Sequence, residues 1–159
     1  MKFFLAGIMQ GSHRGAVLHK QDYRGRIKTL IAKYLPEAQL YDPLADHAES
    51  LEYGLEKGRD VFFKHNRMCR EVDVLLAIVP EASMGTAIEM WEAHQNGRVV
   101  ITLSPMKHNW AVKFLSHELY TDLDEFEEAL ASGKLKQRIH EIQNQNIKPG
   151  DKLPTGHVT

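Results

Sequence analysis

The chain has 159 residues, 43% of them hydrophobic and 26% charged, with a formal net charge of -1. That length buries one core comfortably but not two, and near-neutrality excludes the broadly basic surface that grips nucleic acid polymers. The single cysteine, Cys69, forms no internal disulfide, and the apolar N-terminal stretch turns polar at Gln10; both point to a cytoplasmic protein without a signal peptide or membrane span.

Residues 3–8 are uniformly apolar, the pattern of a central parallel strand buried on both faces. The loop that follows, Met9, Gln10, Gly11, Ser12, His13, Arg14 and Gly15, is punctuated by glycine and rich in donors, so it reads as an anion cradle or as an ordinary surface connection. Its spacing matches neither GxGxxG nor a P-loop, which removes dinucleotide and Walker-type readings. Over residues 21–35, Tyr23, Ile27, Leu30, Ile31 and Tyr34 recur at helical spacing while Arg24, Arg26, Lys28 and Lys33 fall elsewhere; this is an amphipathic cover helix closed by Pro36. Residues 38–41 form a short strand ending at Asp42-Pro43, a turn signal that also leaves an acid at a strand's carboxyl end. Residues 45–57 read as an acidic loop with a helical piece, and Gly58 separates it from a helix over 59–71 that packs Val61, Phe62, Met68 and Cys69.

Residues 72–79 are a nearly unbroken, β-branched apolar run and form the central strand. Pro80 stops it, residues 83–86 make a small-residue turn, and a helix begins at Ala87 with Ile88, Met90 and Trp91 turned inward. Glu89 then falls in the first helical turn, where free N–H groups and the helix dipole keep a carboxylate ionised. An ionised carboxylate beside a pocket can attack the anomeric carbon of a sugar; a first-turn glutamate can equally do no more than complement the dipole. Asn96-Gly97 ends this helix, and 99–103 is a further buried strand running to Ser104-Pro105. After the loop 106–109 come an apolar segment at 110–115, an edge strand at 118–120, and a helix capped by Thr121 or Asp122 with Phe126, Ala129 and Leu130 inward. Residues 134–145 continue helically, giving one domain over 1–146, and 147–159 is a loose tail.

Five strands alternating with helices predict a doubly wound, flavodoxin-like α/β domain with a five-stranded parallel sheet in the order 2-1-3-4-5. In that order the loop after the first strand and the turn before Glu89 face each other across one crevice. The nine histidines show no HExxH or Cys/His ligand spacing, so no metal is assigned.

Four segments together, Ala6-Gly7, Tyr41-Asp42-Pro43, Val72-Asp73-Val74 and above all Gly85-Thr86-Ala87-Ile88-Glu89, resemble the nucleoside 2-deoxyribosyltransferase family, including its nucleoside 5′-monophosphate N-glycosidases. The resemblance implies a flavodoxin-like fold, no cofactor or metal, and cleavage of an N-glycosidic bond through a covalent sugar ester of Glu89. It implies a small-molecule nucleoside or nucleotide as ligand and a homodimer or larger assembly in which the loop 107–109 approaches a neighbour's crevice. Phe4, Gly7, Ile8, Met9, Gln10, Gly11, Ser12, Asp42, Ser83, Gly85 and Asn109 fall at its substrate-binding positions. Three departures accompany it. Phe4 stands where members place a tyrosine, leaving room for a ribose 2′-hydroxyl; His65, followed by Asn66, stands where many carry an aspartate and is the candidate acid; Gln10 stands where an arginine occurs in monophosphate hydrolases. The rival is a non-catalytic nucleotide-binding module on the same fold. A receiver-type signalling domain is disfavoured because Asp73 opens its strand instead of ending it.

Overall fold

The computed structural model describes residues 1–8 and 21–145. Five parallel strands, β1 (Lys2–Gly7), β2 (Gln39–Tyr41), β3 (Val74–Ile78), β4 (Val99–Leu103) and β5 (Glu118–Tyr120), lie in the order β2-β1-β3-β4-β5. All four pairings are parallel, with Phe3 opposite Val74 and Gly7 opposite Ile78 across the central pair. The order and the all-parallel sheet are those expected from the apolar runs. Every residue of β3 and of β4 is buried, because helices cover both faces of the sheet.

The helices are α1 (Tyr23–Tyr34), the single-turn α2 (Pro43–Asp46), α3 (Leu55–Cys69), α4 (Met84–Gln95), α5 (Trp110–Leu115), α6 (Leu123–Ala131) and α7 (Lys134–Gln145). One face of the sheet presents Phe3, Leu5, Val74, Leu76 and Ile101 to Ile27, Leu30 and Ile31 of α1 and to Phe126 and Ile139 of α6 and α7. The other presents Phe4, Ala6, Leu75, Ala77 and Val100 to Cys69 of α3, Met90 and Ala93 of α4 and Leu115 of α5. Alternate residues of a strand point to opposite faces, so β1 feeds both cores at once.

Several local expectations are corrected. Gly58 does not break α3, which starts at Leu55 and runs through it; a helical glycine costs only about 1 kcal/mol relative to alanine, and the packing of a 15-residue helix outweighs that. Phe62, expected inside, is exposed, and the same helix buries His65 and Asn66 instead. Helix α4 starts at Met84, three residues earlier than expected, because Ser83 caps it: its hydroxyl oxygen accepts from the Thr86 N–H at 3.3 Å. Glu89 therefore lies in the second turn, not the first. Met90 is buried as expected, whereas Ile88 and Trp91 are turned outward, Trp91 with 49% of its surface exposed. Asp122 is the cap of α6, accepting from the N–H groups of Asp124 and Glu125 at 3.0 and 2.9 Å. Gly97 and Gly133 follow the ends of α4 and α6 with φ of 68° and 72°, the left-handed conformation that glycine adopts without strain.

Candidate active site

In a doubly wound sheet the chain leaves β1 toward one edge and re-enters at β3 beside it, so the loops beyond their carboxyl ends part and open a crevice. A cavity of about 360 Å³ lies there, within the size range of small-molecule sites. Gly7 supplies its β1 side; Ser83, Gly85, Thr86 and Glu89 supply the α4 side; His47, Tyr53, Val61, Phe62 and His65 form the wall contributed by α3 and the segment before it. Of the residues singled out in the sequence, Gly7, His65, Ser83, Gly85 and Glu89 thus share one cavity.

Glu89 is partly open to this cavity and otherwise ringed by protein. Burial pushes its carboxyl up from an ordinary 4.5 to about 8, with the Arg24 guanidinium pulling the other way. The expectation that helix position keeps this group ionised is overturned: a second-turn residue is past the reach of the free N–H groups, and desolvation dominates. By helix geometry the N–H groups of Met84 and Gly85, in the first turn, have no intrahelical acceptor, and both residues border the cavity.

His65 is 8% exposed and is lowered to about 4, first by burial and then by the charges of His47 and Lys64. It is therefore neutral at physiological pH, against the expectation of an imidazole titrating near neutrality. Its Nε2 lies 3.2 Å from the Tyr41 hydroxyl, which burial and the carboxylates of Asp46 and Asp42 push up to about 12. The ring stands 5.2 Å from that of His47, whose Nδ1 is 3.0 Å from the Tyr53 hydroxyl. This wall is aromatic and polar but uncharged at His65, suited to stacking and hydrogen bonding with a planar ligand.

The remaining candidates lie around the cavity or away from it. Phe4 is fully buried, 5.6 Å from the Tyr41 ring and 5.9 Å from the His65 ring, and has no free surface to touch a ligand. Ile8 is buried, and its carbonyl accepts from Gln21 Nε2 at 2.8 Å. Asp42 is 6% exposed and fully engaged: Arg24 Nη1 at 2.5 Å, Lys28 Nζ at 2.7 Å and the Leu44 N–H at 3.1 Å all donate to it. Asn109 caps α5 by accepting from the Ala111 and Val112 N–H groups and borders a second cavity that it shares with Ser83 and Met84. Met9, Gln10, Gly11 and Ser12 lie outside the described residues.

Sequence reasoning missed Tyr23, Arg24 and Gln21 as members of the site's surroundings. Arg24 was set apart from the apolar face of its helix, yet it is 4% exposed. The signal was available: Arg24 stands three residues before Ile27 and seven before Ile31, squarely on the buried stripe, and a buried guanidinium requires a buried acid, which Asp42 is. His47 and Tyr53 carried no comparable signal, since they belong to an irregular segment.

No protein-family model matches the chain, and no curated protein matches it. Among solved structures, a 2-deoxyribosyltransferase from the psychrotolerant bacterium Bacillus psychrosaccharolyticus superposes with a TM-score of 0.61 at 17% identity, over 80% of this chain and 90% of that one. The CMP N-glycosidase BcmB of Clostridium botulinum aligns with a TM-score of 0.49 at 20% identity, over 83% of this chain and 99% of its own. Among the described residues no helix is long and apolar enough to cross a membrane. The superposition on the Bacillus enzyme, with the strand order 2-1-3-4-5, gives this chain the fold of the nucleoside 2-deoxyribosyltransferases.

Proposed function

We propose that the protein cleaves the N-glycosidic bond of a nucleoside or nucleoside 5′-monophosphate, using Glu89 as nucleophile. The observation that carries this reading is that Glu89, the first turn of α4 and Gly7 open onto one cavity. A Glu89 oxygen attacks C1′, the C1′–N bond breaks, and the base leaves with the bonding electrons and gains a proton. Water then attacks C1′ of the resulting ester, releasing the sugar with retention and restoring the carboxylate, or a second base takes its place. The α4 N-terminus supplies N–H groups for a 5′-phosphate, and the wall of His47, Tyr53 and Phe62 faces the base. His65, neutral in the free protein, contributes a hydrogen bond and not a standing charge. The same fold serves deoxyribosyl transfer in the Bacillus enzyme.

The raised Glu89 favours a second reading. A carboxyl pushed up to about 8 is mostly protonated at pH 7, which suits a binding module that holds a nucleotide without cutting it. Incubation with a panel of nucleosides and 5′-monophosphates, followed by chromatography for free base, separates the two. We expect base release that rises with pH through 8, a sugar adduct in the intact mass of acid-quenched enzyme, and loss of both in Glu89→Gln. Binding of a nucleotide with no base released at any pH rejects the enzymatic reading.

A further inference from the structure

We propose that the first turn of α1 provides the polar arm of the site: Tyr23 Oη and the Arg24 guanidinium, passing beside Gly7 at the end of β1, position Glu89 and sustain its charge. This assignment rests on the reading of Glu89 as the nucleophile, but its electrostatic content is measurable without any reaction.

The placement follows from Gly7. A methyl group added at its Cα would overlap Tyr23 Oη and sit 3.0 Å from Arg24 Nη2. Gly7 itself borders the cavity that holds Glu89, so both polar atoms stand against a residue of the cavity's wall, and only glycine leaves them room. Arg24 is held there by three acceptors on separate segments: Gln21 Oε1 at 2.6 Å, the Leu5 carbonyl at 3.4 Å and Asp42 at 2.5 Å. Gln21 in turn ties the end of β1, donating to the Ile8 carbonyl. The guanidinium is thus fixed before any ligand arrives, as an electrostatic partner of a reacting group has to be.

Charge accounting supports the same assignment. Two cations, Arg24 and Lys28, meet one carboxylate at Asp42, so Arg24 shares its counter-ion with a second positive charge. Glu89 answers Arg24 from α4: the Arg24 charge acts on Glu89, and the Glu89 charge acts on Tyr23. Among the described residues, other titratable groups stand around Glu89 and its cavity. His65 on α3 is neutral, and the Cys69 thiol is raised by burial and by the Glu89 and Glu92 carboxylates. His47 borders the same cavity from the segment before α3. A buried tyrosine hydroxyl also needs an acceptor; among the described residues Tyr23 Oη donates to Gln21 Oε1 at a long 3.4 Å, and a charged carboxylate is the stronger acceptor.

The test is a carboxyl ¹³C titration of Glu89 in labelled protein, its resonance assigned by loss in Glu89→Gln. It is run on wild type, Tyr23→Phe, Arg24→Gln and Arg24→Lys, each checked for folding by circular dichroism. Removing a cation within reach raises a carboxyl midpoint by about 1 pH unit or more, so Arg24→Gln should shift Glu89 upward by that amount. Arg24→Lys should recover part of the shift, and Tyr23→Phe should raise the midpoint by a smaller step. Base release from the four ribonucleoside 5′-monophosphates, followed in parallel, should show kcat falling and its pH profile moving with the Glu89 midpoint while KM stays. If Arg24→Gln does not fold, Tyr23→Phe, which removes one oxygen, decides alone. A Glu89 midpoint unmoved by Tyr23→Phe, or by a folded Arg24→Gln, overturns the inference. Absence of base release in wild type overturns the proposed function instead, and leaves the titration to judge the arm.

Discussion

Replacing Glu89 with glutamine should make the protein more stable at alkaline pH and leave it nearly unchanged in acid. In the folded protein the carboxyl is pushed up from an ordinary 4.5 to about 8. Between those values the folded chain holds a proton that the unfolded chain has released. Stability from this group is therefore fully present below about 4.5 and is lost as pH rises through about 8. The interval spans 8 - 4.5, about 3.5 pH units, and at about 1.36 kcal/mol for each unit the loss has a ceiling of about 5 kcal/mol. Water entering the open crevice lowers that figure, because a partly solvated charge is less penalised. Glutamine keeps the shape and carries no charge at any pH, so the variant loses this slope while all other titrations cancel in the difference. Urea unfolding of both proteins at pH 4.5, 6, 7.5 and 9, followed by far-ultraviolet circular dichroism, measures it. We expect near-equality at pH 4.5 and an advantage for Glu89→Gln of at least about 1.4 kcal/mol at pH 9, a tenfold change in the folding equilibrium. A difference that stays constant with pH, or a variant less stable at pH 9, would show that Glu89 is well solvated and that the argument from burial is wrong.

Asp42→Ala should destabilise the protein by about 3 kcal/mol or more, because it leaves the buried Arg24 guanidinium without its carboxylate; a loss below about 1 kcal/mol in chemical unfolding would mean that water reaches the guanidinium freely. Phe4→Tyr adds an oxygen beneath His65 and Tyr41, and on the resemblance to deoxyribosyltransferases it should move the ratio of kcat/KM values toward 2′-deoxyribonucleotides; an unmoved ratio would make Phe4 a core residue only. Trp110, 78% exposed, stands 6.0 Å from the exposed Phe114 on α5, while neighbouring α4 exposes Met84, Ile88 and Trp91, an apolar surface of the kind that pairs subunits. Sedimentation at micromolar concentration should show a dimer or larger, and Trp110→Ser with Phe114→Ser should dissociate it; a wild-type monomer would count against the assembly.

Local sequence pattern was sufficient for what depends on local physics. The unbroken apolar runs at β1, β3 and β4 state that both faces of each strand are covered, and a strand covered on both faces belongs in a parallel sheet with helices on each side. The strand order followed from short, right-handed connections, and it brought Gly7 and Glu89 to the same crevice. Ser83, three residues before Thr86, is a cap signal legible in the sequence, though reading residues 83–86 as a turn places the start of α4 too late. What only the tertiary structure decided are quantities summed over neighbours distant in the chain. Periodicity puts Arg24 on the buried stripe of α1, but its charge can stay there only because Asp42, 18 residues on, reaches it at 2.5 Å. Glu89 is raised and His65 lowered by the same cause, desolvation, whose size depends on what α1, α3 and the segment around His47 lay against them. A helix position can be counted along a sequence, but the dielectric around it cannot, and for a carboxyl in the second turn of a covered helix desolvation outweighs the dipole.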